Sequence, residues 1–374
     1  MRIRSVFALI AAILSAGPLH ALDTSLGPVT VTQMASDLDE PWGLAFLPDG
    51  GFLVTERNGN LLRYGADGGD GQRLTGVPEV FAEGQGGLFD VLVPRDFTES
   101  GEILLSFALP AGGGGGTAFG AGTLGPEGIE DFRVLWAMPE VSGSGRHFGG
   151  RLVEAPDGTI FLTIGDRGTG PEGLDAQDAA SHLGKIVRLN RDGTVPADNP
   201  DPGGAAPAVW SSGHRNPQGA TIGADGALWV NAHGAQGGDE VDRVGKGLNY
   251  GWPVVTYGRD YDDSAIGEGT AKDGTEQPVH YWDPSIAPSG HMIYSGRLWP
   301  EWSGDHFAGS LKFDLISRLD PGTPGGLPGV GGWAEERLQS DETLRVRDIR
   351  EAPDGSIWFL SVGNGAVYRI TPGT

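Results

Sequence analysis

Four stretches of this chain repeat one pattern: an apolar strand, an Asp-Gly turn and a second apolar strand. They are LAFLPDGGFLVTE (44–56), LVEAPDGTIFLTIGD (152–166), ATIGADGALWVNAHG (220–234) and IREAPDGSIWFLSVGN (349–364). Asp-Gly supplies the positive φ angles that tight hairpin turns require, and flanks rich in Ile, Leu, Val and aromatic residues suit half-buried strands. No long apolar pattern of helical period competes with them. Hairpins that return through a whole chain point to an all-β fold, a β-propeller rather than a single sandwich. The turn aspartates Asp49, Asp157, Asp225 and Asp354 are 108, 68 and 129 residues apart. Those gaps are not one period, so blades with degenerate turns or insertions must intervene, and the pattern alone leaves the number of blades open.

The ends of the chain suggest a closed ring. The first hairpin runs on into GNLLRYGADG and the last into GNGAVYRITPG, and joining them would complete a blade from both termini. No linker-like composition divides the chain, so residues 22–374 read as one domain. The glycine-rich run PAGGGGGTAFGAGTLG (110–125) reads as a long surface loop. Residues 1–21 stand apart: Arg2 and Arg4 precede VFALIAAIL, and SAGPLHA then supplies breaking and small residues. That order is a secretory signal cleaved after Ala21, which implies export to a bacterial periplasm. No later run approaches the ~20 apolar residues of a membrane span, so membrane insertion is not expected. The 374 residues include no cysteine, which excludes thiol catalysis and thiolate-held metals, and a domain this large can build its core without disulfides. A net charge of −23 argues against nucleic acid and anionic membranes and is compatible with neutral substrates and bound Ca²⁺.

Chemistry-bearing residues gather at the edges of the expected hairpins. Gln85 sits among glycines in EGQGGLFDV; His147 lies in SGSGRHFGGRL, with Arg146 and Arg151 nearby. SSGHRNPQGA (211–220) crowds His214, Arg215, Asn216 and Gln218 around one proline; arginine brings a rigid fork of donors, and the amides bring both donors and acceptors. NAHGAQGGDEVDRVGKGLNYGWP (231–253) offers His233, Asp239, Glu240 and Asp242 together with free carbonyls, the ligands of a hard cation, though not at the spacing of a helix–loop–helix calcium motif. Lys312 is one of four lysines, and Arg345 and Arg347 alternate so that both would face one side of a strand. Three converging cations in so acidic a chain would make a pocket for an anionic ligand. Each residue also has a plainer role: a turn amide, an exposed loop histidine, an Asn-Pro turn, surface ion pairs.

In this order the motifs resemble the soluble quinoprotein sugar dehydrogenases, closest to the bacterial aldose sugar dehydrogenase branch. The resemblance runs from PWGLAFLPDG through RHFGGRL, GKIVRLNRDGTVPADNP, GHRNPQG, GGDEVDRVGKGLNYGWP and PSIAPSG to RVRDIREAPDGSIWFL, nearly the whole mature chain. It implies a six-bladed propeller of four-stranded antiparallel blades that holds pyrroloquinoline quinone (PQQ) with Ca²⁺ at its top face. It places His147 as the catalytic base and Gln85, Arg215, Asn216, Gln218, Lys312, Arg345 and Arg347 around the quinone. The carbonyls of Gly234 and Ala235 match ligands of the cofactor-bound calcium; Glu240 and the Tyr250 carbonyl match a second calcium site. One departure stands out: Ala232-His233-Gly234-Ala235 replaces the family's Glu-His-Gly-Pro, and alanine loses the fixed φ with which proline sets that carbonyl.

The activity so implied is oxidation of an aldose at C1 to its lactone. His147 takes the hydroxyl proton as hydride passes to the quinone, and Arg215 stabilises the oxygen that gains charge. Two other readings share the fold: a calcium-dependent lactonase working without quinone, and a non-catalytic propeller that binds a protein or glycan. Against the first stands the cationic trio, which a neutral lactone does not need; against the second stands His147 alongside the complete quinone set. The partners expected are a small sugar and an electron acceptor that the sequence does not name, on a monomer or dimer. Tyr257 and Tyr261 lie in a loop, residues 257–270, that could stack on the ligand or merely pack.

Overall fold

The computed structural model describes residues 20–373 except 171–172, 202–203, 205 and 325–331; the expected export signal therefore lies almost wholly outside the described residues. Six antiparallel sheets follow one another along the chain as the blades of a propeller. Their innermost strands are Pro41–Phe46, Leu88–Leu92, Leu152–Glu154, Asn216–Ile222, Pro288–Ile293 and Val346–Glu351. Each contacts the next and the sixth contacts the first, which closes the ring.

The four Asp-Gly turns link the first and second strands of blades 1, 3, 4 and 6. They close the pairs Phe46–Phe52, Glu154–Ile160, Ile222–Leu228 and Glu351–Ile357. In each, the aspartate carboxylate accepts from the backbone two residues on, and the glycine takes a φ between +79° and +89°. Blades 2 and 5 make the same connection through a short helix, Phe97–Ser100, and a 3₁₀ turn, Pro300–Trp302. These are the degenerate turns that the irregular spacing demanded.

The ring does close with strands from both ends, but not with the segment expected. Gly27–Ala35 pairs with Ala366–Pro372 in blade 6, and His20–Thr24 adds a fifth strand outside it. Asn60–Tyr64 is instead the third strand of blade 1. A hairpin pairs with its own next strand first, because the short connection costs least in chain entropy.

The glycine-rich run is not a surface loop. Gly114–Leu124 is a central strand of blade 2, buried over most of its length between Glu102–Ala111 and Ile129–Ala137. A Cβ on Gly115 would stand 2.8 Å from the Phe81 ring, and one on Gly120 would stand 2.4 Å from the Arg133 carbonyl. The glycines are there because neighbouring aromatic side chains and backbone lie directly against the strand.

Beneath the site a buried ion cluster fills the centre. Arg151 lies 3.1 Å from Asp90 and 3.2 Å from Asp348, and Arg350 lies 3.1 Å and 3.0 Å from the same two carboxylates. The Arg151 guanidinium also rests on the Trp42 ring, 4.4 Å from its centroid. Two cations against two anions tie blades 1, 2, 3 and 6 together, and removing any one would strand the others in a dry interior. Arg151, close to His147 in sequence, thus belongs to this floor.

Candidate active site

The loops that enter the first strands, and those that join second strands to third, gather at the mouth opposite the Asp-Gly turns. Gln85, His147, Arg215 and Arg345 each sit shortly before a first strand; Asp166, Gly234 and Lys312 each follow a second strand. Blade geometry alone therefore brings distant residues to one rim.

His147 is buried in a left-handed conformation, φ +55°. Its backbone N–H donates to Gln85 Oε1 at 2.8 Å, and the Gln85 N–H donates to the Gly145 carbonyl at 2.7 Å. Its ring Nδ1 lies 2.6 Å from Asp166 Oδ1. Asp166 was not singled out from the sequence; it follows the second strand of blade 3, Ile160–Ile164. Its other oxygen accepts from the Trp252 indole N–H at 2.9 Å, and Gly168 N–H donates to Oδ1 at 2.8 Å. Burial pushes Asp166 up, but the hydrogen bond and charge of His147, Gly168 N–H and Arg215 outweigh it, so the carboxylate titrates below its usual range. Burial pushes His147 below its ordinary value; Arg215 and Arg146 add to the shift and Asp166 opposes it. A neutral imidazole beside an ionised carboxylate results. The carboxylate requires Nδ1–H, which leaves the Nε2 lone pair as a proton acceptor.

Two cavities are lined by neighbouring residues here: His147 and Arg215 line one, Phe148 and Asn216 the other. The larger, about 560 Å³, is lined by Trp42, Gln85, Phe148, Asn216, Gln218, Lys312, Arg345 and Arg347. The smaller, about 430 Å³, is lined by Arg146, His147, Arg215, Ala235, Trp252, Asp260 and Tyr261. Asn216 and Gln218 hold each other at 3.0 Å, and Gln218 Oε1 accepts from Arg347 at 2.7 Å. Arg345 and Arg347 do share a wall, but not as alternate residues of one strand. Arg345 precedes the strand with φ +49°, where its N–H donates to Asp314 and its side chain donates to the Leu311 carbonyl. Among the described residues neither these two arginines nor Lys312 forms an ion pair; the acidic residue of this wall, Glu40, is held by Arg57. Arg347 is pushed down to about 9, first by burial and then by the Arg345 and Arg151 charges. A cation so crowded is relieved by an anion. The donor set, on a wall that also includes Trp42 and Phe148, suits an anionic polycarboxylate such as PQQ.

The loop Gly234–Gly238 leaves the second strand of blade 4. Asp239 is not free for a metal: it accepts from Gly234 N–H at 2.8 Å, from Ala287 N–H at 2.9 Å and from the Ser285 hydroxyl at 2.7 Å. Asp239 shapes the loop and thereby aims the Gly234 carbonyl, which accepts from the Arg215 guanidinium. A cation taking that carbonyl would compete with Arg215. This bond, not the proline absent at Ala235, sets the carbonyl's direction here. Glu240 and Asp242 share one face of the next strand, in which Ala232 pairs with Glu240 and Val230 with Asp242. Asp242 is buried with one oxygen unpartnered, and burial pushes it up to about 7. Burial also raises Glu240, reinforced by Asp242 and Asp239. Two uncompensated carboxylates fit a divalent cation. Among the described residues no three side-chain ligands cluster, so backbone carbonyls would have to complete the shell.

Two histidines singled out in the sequence take other roles. His214 is buried, stacks on Tyr250 at 4.8 Å and pairs with the Ser211 hydroxyl at 2.9 Å, away from both cavities. His233 lines the larger cavity, but its Nε2 is spent on the Pro288 carbonyl at 2.7 Å. Tyr261 stands exposed at the smaller cavity with its hydroxyl 3.3 Å from Arg215, whereas Tyr257 stacks on Tyr281.

Residues 38–369 match the family model described as glucose/sorbosone dehydrogenase. The chain belongs to the glucose/sorbosone dehydrogenase family. Within this family it is 40% identical over 370 residues to the aldose sugar dehydrogenase YliI of Escherichia coli, covering 95% of this chain and 97% of that protein. The apo-form crystal structure of the soluble E. coli aldose sugar dehydrogenase superposes with a TM-score of 0.84 at 38% identity, over 92% of this chain and 100% of that one. A PQQ-bound aldose sugar dehydrogenase from Streptomyces coelicolor superposes with a TM-score of 0.72 at 25% identity, over 91% and 97% of the two chains. This glucose/sorbosone dehydrogenase family member is thus a six-bladed propeller and a sugar oxidoreductase.

Proposed function

We propose that the protein oxidises aldose sugars at C1 to their lactones, using PQQ and Ca²⁺. When bound, the quinone supplies a two-electron acceptor for the C1 hydride, and Ca²⁺ the Lewis acidity that polarises it. The observation that carries the reading is the His147–Asp166 pair, with His147 in the wall of the smaller cavity and Phe148, next in sequence, in the wall of the larger, cation-lined one. His147 Nε2 takes the proton of the C1 hydroxyl, and Asp166 holds Nδ1–H and balances the imidazolium that forms. Lys312, Arg345 and Arg347 bind the cofactor's carboxylates, with Gln85, Asn216 and Gln218 as neutral partners. Arg215 faces developing negative charge in a buried setting where a fixed donor counts most. The Gly234 and Ala235 carbonyls would hold one cation; Glu240 and the Tyr250 carbonyl, with Asp242 beside them, would hold a second. The unpaired cationic trio weighs against a quinone-free lactonase, which expects no triple-anion clamp.

The test is to titrate purified apoprotein with PQQ and Ca²⁺ and follow dye reduction with a panel of aldoses. EDTA-sensitive, saturable activity is expected, together with a rise in melting temperature. Lactone hydrolysis with Ca²⁺ alone, and no stabilisation by the quinone, would replace this reading with the hydrolase. We also propose export to the periplasm through residues 1–21, which N-terminal sequencing of the protein from cells tests. A start at Leu22 is expected; a chain retaining Met1 sinks it.

A further inference from the structure

Trp252 lies in the NYGWP segment (249–253), and the proposed reaction assigns it no part. Its side chain is nonetheless buried at the wall of the smaller cavity, in contact with Asp166 and Arg215. The indole Nε1–H donates to Asp166 Oδ2 at 2.9 Å, while the other oxygen of that carboxylate faces His147 Nδ1 at 2.6 Å. The ring face carries the Arg215 guanidinium, 5.3 Å from its centroid. Trp252 is itself well anchored: its N–H donates to the Gly213 carbonyl at 2.9 Å, and its carbonyl accepts from the Gln177 amide at 2.7 Å.

Asp166 has two ways to turn. Its Oδ1 is shared by His147 and Gly168 N–H, whereas among the described residues Oδ2 has the indole alone. Without that donor Oδ2 has no partner among the described residues, the carboxylate can turn about its two Oδ1 bonds, and its hold on Nδ1–H weakens.

We infer that Trp252 is a positioning residue which acts through Asp166 to fix the orientation and tautomer of His147. This rests on the reading of His147 as the base, so the test separates the two. The variant is Trp252→Phe, which keeps a ring under Arg215 and deletes the N–H. In the apoprotein, ring ¹⁵N shifts of His147, assigned with His147→Gln, report the tautomer. The expected result is a shift from Nδ1–H toward the Nε2–H form. In the loaded enzyme kcat should fall roughly 10- to 100-fold, as for other outer hydrogen-bond partners, with KM for the sugar within about twofold. In an Asp166→Asn background the same change should cost less than about threefold, because its route is already cut.

Unchanged ¹⁵N shifts in Trp252→Phe overturn the inference whatever the activity does. A full additional loss in the Asp166→Asn background overturns it as well. A shifted tautomer with unchanged kcat supports the positioning role and removes His147 as the base. Should Trp252→Phe fail to fold, Trp252→Tyr, which also lacks the indole N–H, takes its place under the same criteria.

Discussion

Asp166→Asn is the sharpest perturbation of the proposed mechanism. The amide is nearly isosteric, so packing against Trp252 is kept, but it has one oxygen and one NH₂ where the carboxylate had two acceptors. Trp252 Nε1–H and Gly168 N–H both demand acceptors, at 2.9 Å and 2.8 Å on different oxygens. If the amide oxygen stays with Trp252, the NH₂ faces His147 and forces Nδ1 to become the acceptor. Nε2 then carries the proton and cannot take another. If the oxygen turns to His147, the indole loses its partner instead. Either way the negative charge opposite the imidazolium is gone. A unit charge pair at about 4 Å with an effective dielectric of about 20 is worth roughly 4 kcal/mol. That loss alone should lower kcat on the order of 10³-fold, since about 1.4 kcal/mol is a factor of ten, and the tautomer penalty adds to it. Quinone-loaded enzyme and a dye acceptor provide the assay; quinone-induced stabilisation shows that the cofactor still binds. A kcat within about fivefold of the parent, with PQQ bound, would refute the role given to Asp166 and with it the tautomer argument.

Other outcomes follow from the same structure. His147 titrates below its ordinary ~6.5, so the acidic limb of kcat/KM should lie under pH 6.5; a limb above pH 7 contradicts the buried-base account. His214 and His233 are pushed down to about 3 and His280 and His306 to about 4, chiefly by burial. Their folded-state values are depressed, so the stability they confer is present above about pH 6.5 and lost as pH falls toward 4. Urea midpoints should therefore drop between pH 7 and pH 5, and a flat profile would show that these rings are not held neutral. Asp242, raised to about 7, has the opposite sign: its ionised form burdens the metal-free fold increasingly from about pH 4 to 7. Asp242→Asn should thus stabilise calcium-free protein by about 2–4 kcal/mol at pH 8 and hardly at pH 4, while reducing stabilisation by Ca²⁺; an equal effect at both pH values excludes the uncompensated carboxylate. Gly120→Ala should cost about 1–3 kcal/mol in chemical denaturation, because its Cβ would lie 2.4 Å from the Arg133 carbonyl; no loss would mean that the blade-2 strands part easily.

Much of this was legible in the order of residues. The Asp-Gly turns are local devices: aspartate caps the turn, glycine takes positive φ, and no distant residue is needed. Hairpins, all-β class and entry loops therefore follow from short stretches of sequence, and His147, Arg215 and Lys312 were found at the loop edges where they stand. What was misread depends on partners far along the chain. A run of glycines carries no mark of the phenylalanines that will lie on it, so residues 110–125 looked like a loop and proved to be a buried strand. Asp239 and Asp242 are three residues apart and chemically alike, yet Ser285 and Ala287 of the next blade occupy one and leave the other without a partner. Asp166 and Trp252 sit 86 positions apart, and only the closing of the ring puts an indole N–H on that carboxylate. By itself the sequence determined the repeating hairpins and which residue types line the mouth, because turn geometry and side-chain chemistry are local. The tertiary structure alone decided which carboxylate stays charged, which histidine keeps a free nitrogen and which cations go unpaired, because burial and hydrogen-bond partners are set by the packing of one blade on the next.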